Sequence, residues 1–294
     1  MRIAPPAVHY KTVSIDDAEM FYRYAGPDSA PVIVLLHGFP SSSYQYRNLI
    51  PFLATRFRVI APDYPGFGLS SMPARNRFRY TFAHFAELVD GLLEMLHVKS
   101  FALYMMDYGV PVGLRLALKH PRRLTAIVAQ NGSPYSEAFG AFWGPVREFW
   151  EDHRSRTKRD QMKQLLTLER TKNLYTAGVE DKTRIDPSAY LTDQYFLDRP
   201  GNDEIQLDLF YDNRTNTEIF PAIHKFFRSS RPPALILWGE NDPIFDKAGA
   251  EAYRQDLPDA EIKFIPSGHC ALEDRFDLMA PAIHEFLSRY LLPD

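Results

Sequence analysis

The 294-residue chain has a single cysteine, Cys270. No internal disulfide can brace it, and so little cysteine agrees with a reducing compartment. It has no block of positive charge: 34 basic residues stand against 37 acidic ones, for a formal net charge of −3. That balance argues against the phosphate-neutralising surface of a nucleic-acid binder. Long apolar runs are missing too. The opening MRIAPPAVHY holds nothing like the apolar centre of a signal peptide, and the longest runs, such as VIVLL at 32–36, are strand-sized. No repeat or low-complexity tract interrupts the chain. The expectation is a cytosolic protein that spans no membrane and acts on a small molecule.

What is present is core-forming material, 45% apolar residues, enough for one large α/β domain with or without an insertion. Alternation in VHYKTVSI and EMFYRYA predicts two antiparallel strands joined at Asp16-Asp17. Beyond them, the runs VIVLLH, RVIA, FALYMM and LTAIVA alternate with stretches of helical period, the pattern of a parallel sheet. Phe82, Phe85, Leu88, Val89, Leu92, Leu93 and Leu96 recur at spacings of three and four and predict a crossover helix. ALILW and EIKFI predict two more strands, with a helix near 246–256 between them and another closing the chain. From about 134 to 230 no strand-like run occurs, and helical segments are interrupted by Pro145, Pro187 and Pro200-Gly201. This divides the chain into a core of 1–133 and 231–294 and a helical insertion, 134–230. An insertion leaving the carboxyl ends of the strands would roof a site there.

Three residues sit just beyond predicted strands in a chemically suggestive order. Asp107 follows FALYMM and precedes Tyr108-Gly109 and a helical run, the layout of a sharp strand-to-helix elbow. Alone it reads equally as a helix cap. Asp242 follows ALILW in GENDPIF, and His269 follows EIKFI in PSGHCALED. Nucleophile, acid and histidine is the chain order such an architecture requires, with the carboxylate fixing the imidazole tautomer. His37-Gly38-Phe39-Pro40 follows VIVLL, so the Phe39 and Tyr108 amides are candidates for an oxyanion hole. Asp63 in APDYPGFGLS reads as a turn residue. An aspartate at the elbow attacks an sp³ carbon without prior deprotonation, and His269 then activates water against the resulting ester. Such a reaction needs no metal and no cofactor.

These motifs resemble the α/β-hydrolase fold family, in particular its epoxide hydrolase and haloalkane or haloacetate dehalogenase branch. The resemblance rests on His37 to Pro40, DYPGFGLS at 63–70, the Asp107 elbow, GENDP and SGHCALED. It implies a mostly parallel sheet flanked by helices with an inserted helical cap, the catalytic set Asp107, His269 and Asp242 (rather than Glu240), and a small, mostly apolar electrophile as substrate. Haloalkane dehalogenases place a tryptophan after the nucleophile, where Tyr108 stands, and haloacetate dehalogenases place arginines near it, whereas Arg115 lies a helical turn away. Epoxide hydrolases commonly use a cap tyrosine before an arginine; Asn213-Arg214 occupies that place, with Tyr211 two residues earlier. The pocket lining expected from this resemblance is His37, Trp143, Trp150, Tyr175, Tyr211 and Asn213, with Tyr190 and Tyr195 as further donors. Met105 stands at an elbow position that often holds a small residue, and Asn131 where some relatives carry the acid. Epoxide hydrolysis is the leading expectation. Carbon–halogen cleavage, with Trp143 or Trp150 as halide donor, and a silent binding module are the alternatives. No serine occupies the elbow, since Ser133 and Ser267 lie in other loops, and Cys270 is expected to pack.

Overall fold

In the computed structural model, residues 6–292 are described; the first five residues, part of the opening stretch in which a signal-peptide core was looked for, lie outside them. Eight strands form one sheet in the order β1-β2-β4-β3-β5-β6-β7-β8. β1 (His9–Ile15) and β2 (Ala18–Ala25) pair antiparallel through the Asp16-Asp17 turn, where Asp16 takes a φ of 52°. From β4 (Arg58–Pro62) onward, β3 (Val32–Leu36), β5 (Phe101–Met106), β6 (Leu124–Gln130), β7 (Ala234–Gly239) and β8 (Glu261–Ile265) run parallel. β5 and β7 are buried along their whole length, the consequence of helices on both faces and the reason these strands are continuous apolar runs.

One face of the sheet packs through Leu36, Leu103, Met105 and Ile236 against the helices Phe82–Met95 and Gly109–Lys119. The other face packs through Leu35, Tyr104 and Val128 against the closing helix Phe276–Leu291. Thr81 caps the first of these helices by accepting the His84 N–H at 3.1 Å. Strand order reverses between β3 and β5, which pair directly at Leu36 and Met105. Their carboxyl ends therefore flank the crevice in which a doubly wound sheet binds ligands.

Between β6 and β7 the described chain is helical and contains no strand. Of the prolines read as interruptions, Pro200 lies in the turn between two helices, and the other two lie in the first turns of theirs. Pro145 lies in the first turn of Trp143–Glu151, and Pro187 opens Pro187–Leu197 behind the Asp186 cap. At such positions the missing N–H has no intrahelical partner to lose. Gly201, at a φ of 84°, leads into Asn202–Asp212. No helix among the described residues is long and apolar enough to cross a membrane.

Candidate active site

Asp107 follows β5 directly and has a φ of 50°, and the next helix begins at Gly109. Left-handed backbone at a residue other than glycine persists only where the surroundings dictate it. Here they do: a Cβ on Gly109 would lie 2.1 Å from the Leu36 carbonyl oxygen, and one on Gly38 would lie 2.5 Å from the Asp107 Cβ. Met105, expected to disturb the elbow, is accommodated because the facing helix has Gly113, whose Cβ would fall 2.4 Å from the Met105 sulfur.

The Asp107 carboxylate is 8% exposed and accepts the Phe39 N–H at 2.7 Å through Oδ1. Burial pushes its pKa above the ordinary value, opposed by His269 and by the Phe39 and Tyr108 amides. Both amides expected as oxyanion donors thus already face the Asp107 carboxyl group. His269 Nε2 lies 3.9 Å from Asp107 Oδ2, and its Nδ1 lies 2.9 Å from Asp242 Oδ2. Asp242 in turn accepts the Asn131 amide at 2.7 Å and the Ile244 N–H at 2.7 Å. Asn131 Oδ1 accepts the Gly239 N–H at 3.1 Å, which ties the loops after β6 and β7 together. Burial alone would lower the His269 pKa; Asp242 and Asp107 reverse that and leave it raised. The arrangement can move a proton: the Asp242 carboxylate bonded to Nδ1 can fix the imidazole tautomer, leaving Nε2 turned toward Asp107. Among the described residues no cluster of acidic, histidine or cysteine side chains could hold a metal.

A cavity of about 180 Å³ opens from Asp107 and His269 toward the helical insertion, walled by Phe39, Trp143, Leu165, Thr171 and Phe210. A smaller lobe of about 30 Å³ runs inward from Asp107 between Val110, Leu114, Phe220 and Ile223. Asn213 and Trp143 border both. The other residues expected in the pocket lie elsewhere. His37 is wholly buried outside the cavity: its Nδ1 donates to the Gly38 carbonyl at 3.0 Å and its Nε2 accepts the Tyr64 N–H at 3.1 Å. Burial lowers its pKa to about 4, so it is a neutral brace for two loops. Trp150 donates its indole N–H to the Phe210 carbonyl at 2.7 Å, behind the cavity wall. Tyr175 is buried against Asp193, to which its hydroxyl donates, and Tyr211 stacks on His153 at 3.7 Å with Arg214 over its ring. Tyr190 packs beside Tyr175, and Tyr195 is 73% exposed. Trp150, Tyr175, Tyr190 and Tyr211 found partners inside the insertion and Tyr195 points to solvent, which helical periodicity alone could not reveal.

Asp63 is the turn residue it resembled, accepting the Ser43 and Leu69 amides at 2.7 and 2.9 Å. Arg115 bonds Asn216 at 2.7 Å and stays outside the cavity. Two polar groups of residues bordering it, Tyr108 Oη and Asn213 Nδ2, lie beside one another and bond no other group among the described residues. The sequence pointed to Asn213 through the neighbouring Arg214; nothing in it singled out the Tyr108 hydroxyl, which lies beside Asn213. Arg170 and Thr171, on the helix Leu168–Thr176, also border the cavity and carried no sequence signal.

Residues 31–276 match the family model described as the alpha/beta hydrolase fold. An uncharacterised hydrolase of Saccharomyces cerevisiae is 44% identical over 91% of this chain and 93% of its own length. A haloalkane dehalogenase of Mycobacterium marinum is 41% identical, over 44% of each chain. Among solved structures, the epoxide hydrolase CorEH without ligand superposes with a TM-score of 0.79 at 20% identity, covering 96% of this chain and 99% of that one, a likeness of fold. The chain belongs to the α/β-hydrolase fold family and is a hydrolase related to epoxide hydrolases and haloalkane dehalogenases.

Proposed function

We propose that this hydrolase opens epoxides through a covalent ester on Asp107. The observation that carries this reading is the strained elbow, which presents the Asp107 carboxylate to an apolar-walled cavity with His269 Nε2 3.9 Å from its Oδ2. In the first step a carboxylate oxygen of Asp107 attacks a ring carbon, the ring C–O bond breaks, and the freed oxygen takes a proton. In the second, His269 removes a proton from water as the water oxygen attacks the Asp107 carboxyl carbon. The Phe39 and Tyr108 amides stabilise the oxyanion, and the diol departs carrying an oxygen that began on Asp107. Residues 134–230 act as the cap over a core of 1–133 and 231–294.

The leaving group distinguishes epoxide from halide, and the cavity polarity favours oxygen. Both candidate halide donors are engaged, Trp143 with the Ile244 carbonyl at 3.0 Å and Trp150 with that of Phe210. Tyr108 Oη and Asn213 Nδ2 lie beside one another and bond no other group among the described residues. Burial, then the charge on Asp107, drives the Tyr108 pKa well up, so the phenol keeps its proton and serves as donor to a developing alkoxide.

Single-turnover hydrolysis of an aliphatic epoxide in ¹⁸O-water tests the reading. The first diol should carry no label while the Asp107 carboxyl group acquires it, and Asp107→Asn should lower turnover by about 10⁴-fold. Label appearing directly in the first diol would rule out the ester. Chloride release from haloalkanes without diol formation from epoxides would establish the dehalogenase alternative.

A further inference from the structure

The larger cavity is apolar at the reacting carboxylate and changes character toward solvent. Of the residues lining it, only the acid, histidine and arginine side chains of Asp107, His269 and Arg170 are charged or take up a proton near neutrality, since the Tyr108 phenol keeps its proton. The first two form the catalytic pair, and Arg170 is the one charged group left for substrate. It lies on the helix Leu168–Thr176, whose Thr171 and Leu174 also border the cavity, and it is exposed to solvent at the outer end. Arg156, Arg159 and Arg184 of the insertion are tied to acids, Asp160, Glu204 and Asp277, and arginines outside ion pairs such as Arg147 and Arg154 do not border the cavity. Arg170 enters no ion pair among the described residues, so its five N–H donors are free for water or a ligand.

The inner lobe has the opposite character. At about 30 Å³ between Val110, Leu114 and Ile223 it has room for a group of methyl or ethyl size. Nothing charged other than Asp107 itself borders it. A substrate with its electrophilic carbon at Asp107 therefore meets a short apolar recess on one side and an unpaired guanidinium along the exit on the other.

We propose that Arg170 is a specificity-determining residue that holds a carboxylate at the outward end of the substrate, while a short alkyl substituent occupies the inner lobe. The preferred substrate class is thus an epoxide with a small alkyl group on one ring carbon and an acid-terminated chain on the other. The inference rests on the epoxide reading above. A guanidinium matches a carboxylate with two parallel hydrogen bonds, which a neutral ester cannot reproduce.

The experiment compares alkyl-substituted epoxides bearing a carboxylate on tethers of increasing length with their methyl esters. At one tether length, kcat/KM of the acid should exceed that of its ester by roughly tenfold, mainly through KM, and the ratio should shrink with added salt because the site is open to water. Arg170→Gln should bring that ratio to about one, Arg170→Glu should invert it, and Arg170→Lys should restore part of it. An acid that never outruns its ester, or a preference that survives Arg170→Gln, overturns the assignment while leaving epoxide hydrolysis intact. If neither acid nor ester yields diol and Asp107 takes up no ¹⁸O, the epoxide reading fails and this inference fails with it.

Discussion

The floor of the cavity and its roof are built on different physics. The floor, Asp107, His269 and Asp242, stands at the ends of parallel strands and is held by backbone: the Phe39 amide on Asp107, the Ile244 amide on Asp242, and glycines at 38 and 109 where no side chain fits. The roof is held by side chains. The Trp143 and Trp150 rings lie 6.3 Å apart with their indoles on main-chain carbonyls, and ion pairs join Arg159 and Lys163 to Glu204. Such pairs on a solvated surface contribute on the order of 0–1 kcal/mol each. A floor fixed by backbone holds reacting atoms to within fractions of an ångström, whereas a roof of packed side chains can change its lining without disturbing the chemistry beneath.

The comparison is broken most directly at Asp242. Asp242→Asn should reduce turnover by roughly 10²- to 10⁴-fold while the melting temperature stays close to that of the parent. Asn131 Nδ2 already donates to Asp242 Oδ2. An amide at 242 must therefore turn its NH2 either against the Ile244 N–H at the Oδ1 place or against both Asn131 Nδ2 and the His269 Nδ1 proton at the Oδ2 place, and either choice weakens the hold on the imidazole tautomer. Steady-state kinetics with thermal unfolding checks this; a variant within a few-fold of the parent would place the histidine's orientation elsewhere.

Asn213→Ala lies at the boundary of floor and roof. Removing the amide, whose Oδ1 accepts the Asn216 Nδ2 at 2.8 Å while its Nδ2 is left for substrate, should lower kcat by about 10²-fold if Nδ2 holds the leaving oxygen, by analogy with loss of a single oxyanion donor. Trp150→Phe belongs to the roof alone. It gives up the bond to the Phe210 carbonyl but keeps most of the ring packing, so it should cost about 1 kcal/mol of stability and change KM more than kcat. A kcat loss at Trp150 as large as at Asp242 would erase the distinction between the two regions.

The same distinction governed what could be read in the sequence. Strands β3 to β7 were legible as apolar runs because both faces of a parallel sheet are covered. Asp107, Asp242 and His269 were legible because each sits in the first loop beyond such a run, where chain order and strand ends fix proximity. Of the pocket residues expected in the insertion, Trp143 and Asn213 border the cavity, whereas Trp150, Tyr175 and Tyr211 do not. An aromatic on an amphipathic helix has the same period whether it faces a cavity or a neighbouring helix, and only helix-against-helix packing separates the two cases. His37 failed for a different reason. It lies in the right loop, but its ring turns away from the cavity to accept the Tyr64 amide.

The finest test concerns the Asn131 side chain. It donates at 2.7 Å to the same Asp242 oxygen that faces His269 Nδ1 at 2.9 Å, so it draws off part of the charge that raises the imidazole pKa above 6.5. On the ester mechanism proposed above, hydrolysis requires neutral His269, so activity should fall as pH drops through that raised pKa, and the acid limb of kcat should lie above 6.5. Asn131 has a φ of 42°, which glycine adopts without strain, so Asn131→Gly removes the donor while keeping the backbone. The limb should then move upward by a fraction of a pH unit, and the Gly239 N–H, left without its acceptor, should cost about 1–3 kcal/mol of stability. The linkage runs opposite to the activity. A histidine whose pKa is raised on folding contributes stability that is fully present below 6.5 and is lost as pH rises through the folded value, so the enzyme gives up that contribution as it becomes active. His37 has the reverse sign: with its pKa lowered to about 4, the stability tied to its neutral form is lost as pH falls from 6.5 toward 4. Unfolding free energies measured across pH in the parent and in Asn131→Gly separate the two histidines, since only the contribution above 6.5 should respond to the substitution.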